Sequence, residues 1–277
     1  MPVNACACLR KMRGGAQSHL LEAEDGHYYV VKFRNNPQHR RVLINELLAA
    51  EFLRYLQIAT PETAVIYLSP EFLRAHPEVG IQLGAQTVQA TPGWHFGSRY
   101  PGDPNRVAVY DFIPDSLLRQ VVNLVEFLGM LAFDKWTGNS NGRQAIFFRA
   151  RFSQWSPRED APPVREGFVA SMIDHGFAFN GPFWDFPDAA LHGVYHRPMV
   201  YEPVRDWEDF QPWLEQIAHF PEEVIDQAYK QVPRAWLEGE EEALEALLER
   251  LLDRRGLVAD LISAARRARP ALFPNWR

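Results

Sequence analysis

Asp134 and Asn139 stand five positions apart in FDKWTGNSNGRQAIFF (133–148), between a strongly apolar run and a strand-like one. A carboxylate that orients an attacking hydroxyl, and an amide oxygen that completes the shell of a hard cation, are what phosphoryl transfer asks of one loop. Asp174 follows the apolar Met172-Ile173 and precedes His175-Gly176, so a third oxygen ligand sits where the chain must turn. Lys32, in YYVVKF, follows Val30 and Val31. An ammonium there must reach solvent or a polar partner, because an unpaired buried charge is too costly. Upstream lies the turn Gly14-Gly15-Ala16-Gln17. A glycine turn, a hairpin and a strand lysine together can cover and grip nucleotide phosphates. Glu46, among apolar Ile44, Leu47 and Leu48, is the preferred partner for Lys32, with Glu51 as its rival.

Certain elements must hold these residues. HLLEA and HYYVVKF read as strands about the Asp25-Gly26 turn, and residues 1–13 as a lead-in with a short strand. VLINELLAAEFLRYLQ (42–57) has helical spacing, and Pro61 closes that region. TAVIYLS (63–69) reads as a strand, residues 78–106 as strand fragments and loop, and RVAVYDFIP (106–114) as a strand. DSLLRQVVNLVEFLGMLAFDKW reads as one helix capped by Asp115. QAIFFRARF and GFVASMID read as a hairpin joined by the polar SQWSPREDAPPVRE. If 144–152 pairs with 166–173, the loops carrying Asn139 and Asp174 emerge at one end. PEEVIDQAYKQV and the long acid-to-basic run from 240 to 268 read as helices.

The expected fold class is therefore α+β and two-lobed. Residues 1–112 form a small β-rich N-lobe with one helix, and residues 113–277 a mostly helical C-lobe with a catalytic hairpin. A cleft between lobes is a favoured ligand site.

Composition narrows the class. At 47% hydrophobic residues, with 8 Trp and 18 Phe, the chain can build a large core and is not disordered. A net charge of −6 gives no global nucleic-acid footprint. Cys6 and Cys8 are too close for a disulfide and wrongly spaced for a zinc knuckle. With no signal-like or membrane-spanning apolar run, a reduced, cytoplasmic protein is the expectation. His192 and His196 have helical i, i+4 spacing but lack a third zinc ligand, so they are expected in a loop or substrate segment.

The order GG…VVKF…NE…YDFIP…FDKWTGN…IDHGFAF resembles the kinase-fold family of HipA-like proteins, distantly similar to protein kinases and phosphatidylinositol kinases. It spans roughly residues 13–200. The resemblance implies ATP and Mg²⁺ as cofactors, with Lys32 gripping phosphate, Glu46 pairing with it, Asp134 as base, and Asn139 and Asp174 as metal ligands. Tyr110, Asp111, Phe112 and Ile113 would be the hinge that holds adenine. The sequence departs from protein kinases in reading Ala-Phe-Asp before the catalytic loop and His175 after Asp174.

The resulting expectation is transfer of the γ-phosphoryl group to a hydroxyl, with a protein Ser or Thr as acceptor by resemblance. A regulatory partner protein is compatible with it. Lipid or small-molecule acceptors stay open, as do a nucleotide-binding switch without catalysis and a binding partner without nucleotide.

Overall fold

Strand alternation in the first hundred residues resolves into a closed barrel in the computed structural model, which describes residues 2–151 and 166–277. Its strands are β1 (Val3–Lys11), β2 (His19–Ala23), β3 (Tyr28–Lys32), β4 (Thr63–Leu68) and β7 (Gly93–Arg99), in the order β1-β2-β3-β7-β4. Parallel pairing of β1 with β4 closes the ring, through Val3 opposite Ile66. The remaining pairs are antiparallel. Between β4 and β7 lie α2 (Pro70–Ala75) and the hairpin of β5 (Gly80–Leu83) and β6 (Gln86–Gln89). Residues 78–106 thus hold three real strands, one of them in the barrel.

Inward residues such as Leu21, Val31, Ile66 and Leu68 give the barrel its own apolar core, joined by Phe33, Phe72 and Ile81. Helix α1 (Arg41–Tyr55) contributes instead to a second, larger core. There Phe52 meets Trp136 and Phe220, with ring centroids 5.8 and 5.4 Å away. A helix apolar on nearly every side must be enclosed, and α1 is.

Two sequence expectations fail for tertiary reasons. The helix expected from Asp115 is broken into α3 (Asp115–Leu118) and α4 (Glu126–Thr137). In the interval the backbone turns to pair with the second hairpin strand. Val122 N donates to Phe168 O at 2.9 Å, and Asn123 makes bonds to both backbone groups of Ala170. Asp115 lies inside α3, after Pro114, and caps nothing with its side chain. Residues 106–114 form no strand, because only Tyr110 finds a ladder partner, Phe147.

The hairpin of β8 (Gln144–Arg151) and β9 (Glu166–Ile173) pairs Gln144 with Ile173 and Arg151 with Glu166. The connecting segment SQWSPREDAPPVRE, and Phe152 before it, fall outside the described residues apart from Glu166. Beyond β9 come α5 (Trp213–Ala218), α6 (Glu222–Gln231), α7 (Arg234–Leu237), α8 (Glu241–Asp253) and α9 (Val258–Ala268). The expected run from 240 to 268 is two helices, with a 3₁₀ turn at Arg254–Leu257 between them. Buried Arg254 explains the turn. Its guanidinium donates to the carbonyls of Lys135 and Trp136 at the end of α4 and to Asp188.

Helix α4 is buried along its whole length. Its Gly129 is a packing requirement, since a Cβ there would lie 2.4 Å from the Trp213 ring. The helix ends on Gly138 at φ 59°, the left-handed C-cap that glycine adopts at least cost.

Candidate active site

Lys32 ends β3 and projects between two carboxylates. Its ammonium bonds Glu46 Oε1 and, at 2.7 Å, Asp174 Oδ1. Burial works to lower the lysine pKa, but the two carboxylates outweigh it and hold the ammonium well above its ordinary value. For Asp174 burial works upward, and Lys32 overrides it to keep the carboxyl below its usual range. Glu51 pairs instead with Arg54, at 2.6 Å.

Glu46 does more than pair with lysine. Its Oε2 accepts from the backbone N–H of His175 and its Oε1 from that of Gly176, both at 3.0 Å. One carboxylate thus ties β3 to the turn after β9. Gly176 allows this approach, since a Cβ would stand 3.2 Å from Val42 Cβ and 3.3 Å from Glu46 Oε1. The neighbouring Asn45 completes the anchorage. Its amide donates to the carbonyls of Gly176, Ala178 and Gly181 at 2.8, 3.0 and 3.0 Å, and its oxygen accepts from Trp184 Nε1 at 2.8 Å. The segment it holds carries left-handed backbone at Phe179, Asn180, Gly181 and Trp184.

Asp174 itself has φ 61°. Left-handed backbone in a non-glycine residue persists only where its surroundings impose it, and it clusters at functional sites. Its second oxygen accepts from Gln144 Nε2 at 2.8 Å. The β8–β9 register puts Gln144 opposite Ile173, so the contact follows from the pairing. That register was the available sequence signal for Gln144, which loop-motif spacing overlooked.

Asp134 and Asn139 make no hydrogen bond to Lys32, Glu46 or Asp174. Both are buried, at 1% and 0% exposure. Asp134 Oδ2 accepts from Arg143 Nε at 2.8 Å, and Oδ1 accepts from Arg143 Nη2 and from Asn139 Nδ2. Burial raises the Asp134 carboxyl pKa, against the opposing pull of the guanidinium. Asn139 Oδ1 is occupied by the Asn141 backbone N–H at 3.0 Å. Neither side chain presents a free oxygen to solvent in this geometry. Spacing could not disclose this, because the competing partner, Arg143, reads in sequence as an ordinary loop arginine.

The glycine turn sits at the right end of the barrel. His19, which opens β2, pairs with Val31, so the 12–18 connection and Lys32 share one edge. Gln17 N donates to Gly14 O at 3.1 Å, and Gly14 has φ 118°. Ala16 is buried, and the Gln17 side chain is spent on Lys11 and on both backbone groups of Gln82. In the expected hinge, Tyr110 has both backbone groups bonded to Phe147, and Ile113 O accepts from Arg197. Among the described residues Asp111 and Phe112 keep their backbone groups free, and Phe112 is 66% exposed. His192 and His196 lie in a loop, and no group of three His, Cys, Asp or Glu among the described residues could hold a metal unaided. Cys6 and Cys8 are free thiols.

The sequence matches the HipA-like kinase family over residues 6–151, more than half of the chain. The chain belongs to the HipA-like kinase family. Membership makes it a phosphotransferase, with Lys32, Glu46 and Gln144 inside the matched stretch and Asp174 beyond it. No curated protein matches the chain significantly. Among solved structures it is similar to a Golgi casein kinase, at 13% identity and TM-score 0.49, covering 98% of this chain and 74% of that one. A Golgi casein kinase with Mn/ADP bound gives 12% and 0.48 over 94% and 72%. A hydra Fam20 with sugar gives 11% and 0.45 over 96% and 86%. Likeness at this level bears on neither substrate nor cofactor. No helix among the described residues is long and apolar enough to cross a membrane.

Proposed function

We propose that this HipA-like kinase transfers the γ-phosphoryl group of ATP, with Mg²⁺, to a hydroxyl, and that a protein Ser or Thr is the acceptor. The observation that carries the reading is Lys32 held between Glu46 and Asp174. A charged lysine fixed at the mouth of a β-barrel is suited to phosphate oxygens, and its ion pair with a helix carboxylate is the arrangement phosphoryl transfer uses. The active site lies between a β-rich lobe ending near residue 112 and a helical lobe after it.

The donor set fits a magnesium ion. Mg²⁺ retains waters and needs only one or two carboxylates besides substrate phosphates. Asp174 supplies one carboxylate, and the Gln144 amide beside it can offer its oxygen as readily as its NH₂. When bound, the ion neutralises charge on the transferring group. Lys32 binds phosphate oxygens, the Gly14–Gln17 turn covers them, and the free backbone of Asp111 and Phe112 receives the base. Asp134 and Asn139 support the loop from behind. Transfer through a loose transition state demands little covalent chemistry of the protein, so it tolerates a buried Asp134.

A second reading, a nucleotide-binding switch with little catalysis, is favoured by that same burial, since the Asp134 oxygens are taken by Arg143 and Asn139. Incubation with γ-labelled ATP and Mg²⁺, alone and with cell lysate, separates the two. Label on the protein or a lysate component, lost in Lys32→Met and Asp174→Asn, supports transfer. A thermal shift with ATP and Mg²⁺ but no label supports the switch.

A further inference from the structure

Arg143 is enclosed beside the candidate site, with its side chain 1% exposed. Each part of its guanidinium is used. Nε and Nη2 hold the two oxygens of Asp134. Nη1 donates to Ile173 O at 2.8 Å and to His175 Nδ1 at 3.0 Å. Ile173 and His175 are the residues on either side of Asp174. On the His175 ring, Nδ1 accepts, so Nε2 carries the proton toward Met172 O and Thr60 Oγ1, both at 3.1 Å.

Resting on the phosphotransferase reading above, we propose that Arg143 is a positioning residue for Asp174, with Asp134 as its buried counter-charge. Asp174 is left-handed at φ 61°, and a conformation of that kind must be imposed by its surroundings. Arg143 grips the peptide before it and the side chain after it. Glu46 grips the backbone N–H after it. The Asp174 carboxylate is thereby aimed at Lys32 and Gln144 without itself touching Arg143. Arginine suits the task because its planar fork reaches carboxylate, carbonyl and imidazole at once, which a lysine ammonium cannot. Asp134 answers a separate need, since a guanidinium buried without a partner charge is strongly destabilising. The acid of the D-x-x-x-x-N motif then acts through Arg143 rather than on substrate.

A plain structural ion pair is the rival, and it makes a different prediction. Replacing both charges of a buried pair with apolar groups of similar volume is often neutral or stabilising. The test compares wild type, Arg143→Lys, and the double variant Asp134→Leu/Arg143→Met. Thermal melts establish which are folded. The readouts are Mn²⁺ binding in the presence of ADP, followed by electron paramagnetic resonance, and the Mg²⁺ concentration for half-maximal transfer. Expected are folded Arg143→Lys and double variants whose metal affinity falls by roughly tenfold or more, the usual effect of removing a group that orients a ligand. A folded double variant that binds Mn²⁺ like wild type overturns the proposal, whatever the rate of Arg143→Lys. If wild type binds Mn²⁺ with ADP but transfers nothing, the phosphotransferase reading falls, while the metal-binding comparison still decides the role of Arg143. Wild type that binds no Mn²⁺ with ADP overturns both.

Discussion

Glu46 Oε1 accepts the Gly176 backbone N–H at 3.0 Å and also receives the Lys32 ammonium. One oxygen therefore couples the strand lysine to the turn that carries Asp174. A change at any of the three residues should be felt at the other two.

Glu46→Gln is expected to lower transfer by about as much as Lys32→Met, roughly 10²- to 10³-fold for loss of one charge-stabilising donor. Glu51→Gln, whose partner is Arg54, should stay within about 0.5 kcal/mol of wild-type stability and keep wild-type activity. Steady-state transfer from labelled ATP, with urea melts alongside, checks this. Equal losses at Glu46 and Glu51 would refute the coupling.

Gly176→Ala separates site from fold. The added methyl meets Val42 Cβ at 3.2 Å and Glu46 Oε1 at 3.3 Å. Relief by a small outward shift of the turn should cost about 1 kcal/mol of stability. The same shift moves Asp174, so transfer should fall at least roughly tenfold, since small misplacements at a reacting centre are costly. A crystal structure of the variant would show whether the Glu46 contacts to His175 and Gly176 lengthen.

Asn45→Ala would leave three buried carbonyls and the Trp184 indole N–H without their partner. Leaving buried polar groups unpaired costs about 1–3 kcal/mol each before relaxation. A net loss of about 3 kcal/mol is expected, together with faster amide exchange over 176–184 than elsewhere. Hydrogen-exchange mass spectrometry reads both at once. Uniform exchange gains would mean that Asn45 stabilises the core without anchoring this segment.

Acid should weaken the barrel through His95. The ring is buried, with Nδ1 accepting from Arg34 N at 2.9 Å and Nε2 donating to Thr91 O at 2.9 Å. Burial pushes its pKa from 6.5 down to about 4. The unfolded chain then binds a proton that the folded chain refuses. This stabilisation is complete above pH 6.5 and is lost as pH falls toward about 4. The loss is about 3 kcal/mol over that window. Urea unfolding at pH 7 and pH 4.5 should show His95→Gln with a flatter acid dependence than wild type.

Much of this protein was legible from local pattern, because local pattern is what strand alternation and helical spacing record. The strands about Asp25-Gly26, helix α1, the β8–β9 pairing and the acid-to-basic helices follow from short-range chemistry, and so does the prominence of Lys32, Glu46 and Asp174. Tertiary structure decided what depends on partners distant in sequence. Val122 and Asn123 left a helix to pair with β9, and residues 106–114 lacked a second strand. Asp134 met Arg143 in the core, and Gln144 reached Asp174 across a hairpin end. A carboxylate has the same letter whether a guanidinium encloses it or water does. Only the fold determines which, because desolvation and pairing are set by what packs around it.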